Sequence, residues 1–168
     1  MYQIAVLTIF PAAVILAAFT DFFSMTIPNR ISLALVAGFF CLAPFAGLSL
    51  QDMGLHVLAG LLVLALTVAL FAFNFIGGGD AKLAAAVALW LGLGDDLLDY
   101  GFAASMLGGL LSIAFIAFRR VPLPYKWAEA AWIARLHAPR GGIPYGIALS
   151  VAALLVYHQS FWLRGISG

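Results

Sequence analysis

Two aspartates have the residue type and setting to do chemistry. Asp21 closes one long apolar run, and Asp80 opens another directly after Gly77-Gly78-Gly79. An ionisable group in a membrane segment costs about 2.5–3.5 kcal/mol on insertion scales, which makes each a functional candidate. Two carboxylates about 3 Å apart cannot both ionise, so they share one proton. The ionised member can take a proton from water while the protonated member polarises a carbonyl. Such a pair hydrolyses a peptide bond without metal, thiol or serine. The plain alternative is that each is a boundary charge in the headgroup layer.

The flanking residues bear on that choice. Three consecutive glycines forfeit helix propensity, roughly 1 kcal/mol each, and expose backbone groups that lipid cannot satisfy. In return, glycine permits close backbone approach and conformations closed to other residues. An extended substrate peptide beside a carboxylate requires both. The simpler reading is a loop between helices that ends in Asp. After Asp21, Pro28 keeps Ile27 out of the helical region, and Asn29 is a candidate cap for the next helix.

Other chemistries find little support. His56, His137 and His158 are scattered, with no HExxH and no carboxylates at metal-ligand spacing, so neither metal nor cofactor is expected. His56 follows Asp52 by four residues, which reads as a helix-surface pair. The single Cys41 lies in an apolar run, which excludes an internal disulfide or a Cys-x-x-Cys site and suggests a packing role. There is no Gly-x-Ser-Gly signal for a serine protease.

The elements that must position the aspartates follow from composition. Among 168 residues, eight are Lys or Arg, seven are Asp or Glu and 65% are apolar, with a mean hydropathy of +1.11. A soluble domain spends about a quarter of its residues on charge, so lipid must be the solvent for most of this chain. Disorder, nucleic-acid binding and a secreted disulfide scaffold are excluded. Apolar stretches fall at about 2–20, 31–50, 53–74, 81–98, 102–118 and 143–163, near the ~20 residues that a helical span needs. No alternation of polarity suggests a barrel. The expectation is one all-α membrane domain over 1–168 with six transmembrane helices. The fourth, opening on Lys82 and fading into Asp95 and Asp96, is expected to be short or tilted. No basic residue precedes Arg30, so the first stretch lacks a signal-peptide n-region and reads as a retained span.

Basic residues orient the chain. Arg30, Lys82, Arg119, Arg120, Lys126, Arg135 and Arg140 fall on one set of connections, and Arg164 alone on the other. This predicts both termini outside, with Asp52, Asp95, Asp96 and Asp99. Asp21 and Asp80 then share the cytoplasmic boundary, 59 positions apart in sequence.

These residues meet a known pattern. Gly77-x-Gly79-Asp80 is similar to the GxGD signature of intramembrane aspartic peptidases. Asp21 followed by Ile27-Pro28-Asn29 looks like the partner motif of type IV prepilin peptidases, and Gly142-Ile143-Pro144-Tyr145-Gly146 resembles their last conserved stretch. The resemblance implies an endopeptidase of the bacterial inner (cytoplasmic) membrane, its site facing the cytoplasm. It would remove the basic leader from prepilin or pseudopilin substrates. Asp21 and Asp80 would be catalytic, Gly77 and Gly79 would shape the active-site loop, and Lys82, Pro28, Asn29, Pro144 and Gly146 would support it. Larger members carry two Cys-x-x-Cys pairs and methylate the new N-terminus; this chain has one Cys and resembles the short form of Flp (Tad) pilus systems. Neither methyltransferase activity nor its S-adenosylmethionine cofactor is carried over. An archaeal-type preflagellin peptidase, or a small transporter with a carboxylate proton relay, are the alternatives, and self-association into a homo-oligomer stays open. The presenilin-like branch pairs GxGD with Tyr-Asp, and the residue directly before Asp21 is Thr20, not Tyr.

Two further features have competing readings. The 119–142 segment, expected as a cytoplasmic loop with an interfacial helix over 125–137, combines basic residues with Tyr125, Trp127 and Trp132. It reads either as a positive-inside anchor or as a grip on substrate. Ser105/Gly109, Gly108/Ser112 and Gly142/Gly146/Ser150 repeat at intervals of four, which lets helix backbones approach closely.

Overall fold

The computed structural model describes residues 2–124, 127, 129–138 and 141–167. The described residues are helical, with no strand. In chain order they form α1 (Tyr2–Ser24), α2 (Asn29–Leu42), α3 (Leu50–Ala72), α4 (Gly78–Leu91), α5 (Asp95–Arg120), α6 (Ala131–His137), α7 (Tyr145–Tyr157) and α8 (Phe161–Ser167).

Four segments are long and apolar enough to cross a bilayer: Gln3–Ser24, Leu50–Ala72, Asp95–Arg120 and Tyr145–Arg164. The last holds α7, a turn and α8. At 1.5 Å per residue, the 14-residue α2 and α4 each reach only about 21 Å, short of the ~30 Å hydrocarbon layer. The predicted second and fourth stretches overran them. The chain leaves α2 after Leu42 through a turn at 43–47. It leaves α4 at Gly92, whose φ of +76° is left-handed and suits glycine. Asp95 and Asp96 then sit in the first turn of α5, where carboxylates oppose the helix dipole. The fifth helix therefore starts seven residues before the predicted 102.

α4 is the hub. It packs against α3, α2 and α7, while α1 lies against α2 and α7, and α5 against α7. Ten of the fourteen α4 residues are buried, among them Leu83, Val87 and Trp90. Trp90 anchors the end of the helix far from Asp80. Its ring meets Phe10 of α1, Phe39 of α2, Tyr157 of α7 and Trp162 of α8. Its Nε1–H donates to Leu35 O at 2.8 Å, and its carbonyl accepts from Trp162 Nε1 at 2.7 Å. Burying indole rings with their N–H groups satisfied gives five helices one fixed register.

His56 adds a second tie. It is buried, and its Nδ1 pairs with Leu89 O at 2.8 Å. The ring is therefore buried rather than on the helix surface, and its hydrogen bond goes to Leu89 O and not to Asp52. Asp52 instead caps α3, exchanging hydrogen bonds with Ser49. Cys41 is exposed on α2, so it does not serve as core packing. Of the predicted interfacial helix, α6 covers the second half, while Tyr125, Lys126 and Arg140 lie outside the described residues.

Candidate active site

Asp80 owes its position to the break before α4. α3 ends beside Asn74, which takes a left-handed φ of +59°, a conformation that Asn tolerates better than most residues. Gly77 is extended and precedes the helix, leaving Asp80 in the first turn, with Oδ2 accepting the Gly77 N–H at 3.2 Å. The glycines are there for space, not for unusual torsions, since none of the three has a positive φ. A Cβ on Gly79 would come within 3.1 Å of Ile27 Cβ and 3.3 Å of its backbone N and O. One on Gly77 would lie 2.9 Å from Asp80 Oδ2. At Gly78 the nearest atom is a Phe71 ring carbon at 3.5 Å, an ordinary contact.

Asp21 lies in the last turns of α1, and its partner comes from the other end of the chain. Its Oδ2 accepts the Gly146 N–H at 2.7 Å. That donor is one of the N–H groups at the start of α7 that no helical carbonyl can reach. A Cβ on Gly146 would meet Ile27 Cδ1 at 2.7 Å and Asp21 Oδ2 at 2.8 Å. Ile27 thus packs against Gly79 on one side and Gly146 on the other. Pro144, fully buried, precedes α7. The turn leading into it is held from α5: Arg119 donates to Gly142 O at 2.6 Å and Leu136 O at 2.9 Å, and Ser112 Oγ pairs with Tyr145 OH at 2.8 Å.

The two carboxylates are brought to one corner of the fold through Ile27, which packs against Gly79, next to Asp80, and against Gly146, the donor to Asp21. Asp21 is 5% exposed and Asp80 9%. Each has one backbone N–H on Oδ2, and no cation pairs with either among the described residues. The ion pair that those residues do form, Arg164 with Asp96, is elsewhere. Buried charges without a counter-ion are costly, and sharing a proton removes one of the two. Asp80 also lines a cavity of about 760 Å³ between α3 and α5, along with Thr67, Tyr100, Ser112 and Tyr145.

Comparison with known proteins bears on this arrangement. The model of the type IV leader peptidase family matches residues 8–118. The chain belongs to that family. The match takes in Asp21, Pro28, Asn29, Gly77, Gly79, Asp80 and Lys82, and ends before Pro144 and Gly146. No curated protein and no solved structure matches the chain. Membership of a leader peptidase family makes this protein a peptidase, and its apolar helices make it a multi-pass membrane protein.

Within this leader peptidase fold, the predicted supporting residues have differing placements. Lys82 Nζ donates to Asn29 Oδ1 at 2.9 Å, at the exposed ends of α4 and α2. Asn29 is consequently not the cap expected of it; α2 begins at Asn29 itself, after Pro28, with no side-chain cap. In the 119–142 segment, Arg135 donates to Phe23 O at 3.0 Å and Trp132 packs on Phe22 and Phe23, which ties α6 to the end of α1. No group of three His, Cys, Asp or Glu able to hold a metal occurs among the described residues. Tyr100 has no signal in the sequence. Ile27 stands in the Ile27-Pro28-Asn29 motif and Arg119 among the orienting basic residues, but the packing of the one on two glycines and the bonds of the other to carbonyls have no signature there.

Proposed function

We propose that this protein is an aspartic endopeptidase in which Asp21 and Asp80 act as one dyad. It removes the basic leader of type IV prepilins or pseudopilins, of the Flp (Tad) type, where that leader meets the cytoplasmic face of the bacterial inner membrane. In this reading all six apolar helices are embedded, both termini lie outside, and the short α4 is shielded from lipid by its neighbours, while α2 keeps one exposed apolar face with Leu33 and Phe40. The observation that carries it is the pair of buried carboxylates, each with a single backbone donor and no paired cation among the described residues.

The chemistry follows from that setting. With one proton on the pair, the ionised carboxylate takes a proton from a water as its oxygen attacks the scissile carbonyl. The protonated carboxyl donates to the carbonyl oxygen, so the tetrahedral intermediate is neutral at that oxygen. Collapse returns that proton to the pair as the carbonyl re-forms, and the amine leaves with the proton first taken from water. The products are a free leader carboxylate and a new N-terminus on the membrane-bound segment. The backbone donors Gly77 and Gly146 fix one oxygen of each carboxylate, and neither Oδ1 has a hydrogen-bond partner among the described residues.

The test is leader removal from a full-length prepilin by the purified protein in lipid, with the new N-terminus mapped by mass spectrometry. The account expects one cut at the leader–membrane junction, unaffected by chelator. A cut deep in the apolar segment, or loss with chelator, would contradict it.

A further inference from the structure

Among the described residues the side-chain oxygens of Ser32, Tyr100 and Ser150 are buried without a hydrogen-bond partner, and of these Tyr100 is the one in the cavity lining that holds Asp80. It is 3% exposed, and its phenolic oxygen has no hydrogen-bond partner among the described residues. A hydroxyl taken from water without a partner costs free energy, and cores normally provide one. Phenylalanine would fill the same volume at no such cost. Tyr100 lines the same cavity as Asp80.

That cavity is a groove open between two helices. α3 contributes Val63, Leu66 and Leu70 to one wall, and α5 forms the other with Gly101, Ala104, Ser105, Gly108 and Gly109. The α5 wall is large at Leu97, Leu98 and Phe102 and small from Ala104 to Ser112, and a Cβ on Gly101 or Gly109 would meet nothing within 4 Å. The small residues found at intervals of four therefore divide their work. Gly108 and Ser112 hold Tyr145 of α7. Ser105 and Gly109 face open groove, where a helix can approach closely.

We infer that this groove seats the apolar helix of the substrate, and that the Tyr100 hydroxyl donates a hydrogen bond to an acceptor on that helix. This rests on the proposed peptidase activity and extends it to recognition of the membrane segment. The dyad would hold the scissile bond at one end of the groove, while Tyr100 engages the segment further along. A site built to hydrogen-bond its ligand discriminates against one that leaves the group unpaired. Tyr100 is thus a specificity residue.

Two measurements on the full chain in lipid test this. The first compares wild type with Tyr100→Phe on a full-length prepilin. Losing one buried hydrogen bond to substrate should lower kcat/KM by about tenfold, carried in KM. The melting temperature should not fall, because the hydroxyl has no partner to lose. The second places a photo-crosslinking amino acid at Ser105 or at Leu110, in a protein carrying Asp80→Asn that retains uncleaved substrate. Position 105 should capture prepilin, and position 110, exposed outside the groove, should not. Unchanged kcat/KM in Tyr100→Phe, a fall in melting temperature that accounts for the loss, or equal capture at both positions would overturn the inference. Those results would leave the dyad standing. The dyad fails separately, if Asp21→Asn or Asp80→Asn still cleaves.

Discussion

Asp21 and Gly146 are 125 residues apart and joined by a 2.7 Å hydrogen bond, carboxylate to backbone N–H. The bond ties the end of α1 to the start of α7. It also orients one candidate catalytic carboxylate by a backbone donor that only a proline at position 146 would remove. What a substitution can change is the space around it.

Gly146→Ala should therefore disable the protein. The new methyl would meet Asp21 Oδ2 and Ile27 Cδ1 within 2.8 Å, so the carboxylate has to move. Overpacking of this kind costs about 1–3 kcal/mol, and a misplaced reacting group can cost about a hundredfold in rate. Prepilin processing should fall by that order while the protein still inserts in the membrane.

The glycine triplet offers a contrast within one motif. Gly79→Ala forces a methyl into the Ile27 backbone, whereas Gly78→Ala meets only the Phe71 ring at ordinary distance. The second change should be tolerated and can stabilise the first turn of α4 by up to about 1 kcal/mol. Parallel processing assays and melting curves check this. Equal loss in both would mean that the triplet is needed for something other than close approach.

A dyad that works with one shared proton has a bell-shaped dependence of rate on pH. In acid the second carboxylate is protonated and no base remains. In alkali both are ionised, and no acid remains to polarise the carbonyl. Measured kcat/KM should fall on both sides, and a rate that climbs steadily with pH would point to a different nucleophile system.

His56 separates stability from catalysis. Its bond to Leu89 O fixes the end of α4 opposite Asp80, and removing it orphans a buried carbonyl, at a cost of about 1–3 kcal/mol. His56→Ala should lower the melting temperature and leave the rate per folded molecule unchanged.

How far the sequence reveals this arrangement depends on the kind of partner involved. Asp21 and Asp80 are conspicuous because charge is scarce, and the apolar runs around them imply a helical membrane protein. The helix limits are less visible. Leu91-Gly92-Leu93 continues an apolar run, while the turn depends on a positive φ at Gly92, which hydropathy does not register. His56 sits four residues from Asp52 on one helix, yet its partner is the carbonyl of Leu89, 33 positions away. The same holds for Asp21 and Gly146. Backbone donors and acceptors exist at nearly every residue, so sequence cannot say which are used. Tyr100 is one of five tyrosines, and only its burial without a partner sets it apart.

The central claim is that Asp21 and Asp80 are one catalytic unit, and single-turnover processing of a prepilin tests it most directly. The comparison is between wild type, Asp21→Asn, Asp80→Asn and the double variant, each at matched amounts of membrane-inserted protein. Residues that act as a unit are grossly non-additive. The account predicts that each single change abolishes cleavage as completely as the double one. Substantial cleavage by either single variant, or losses that multiply in the double, would contradict it.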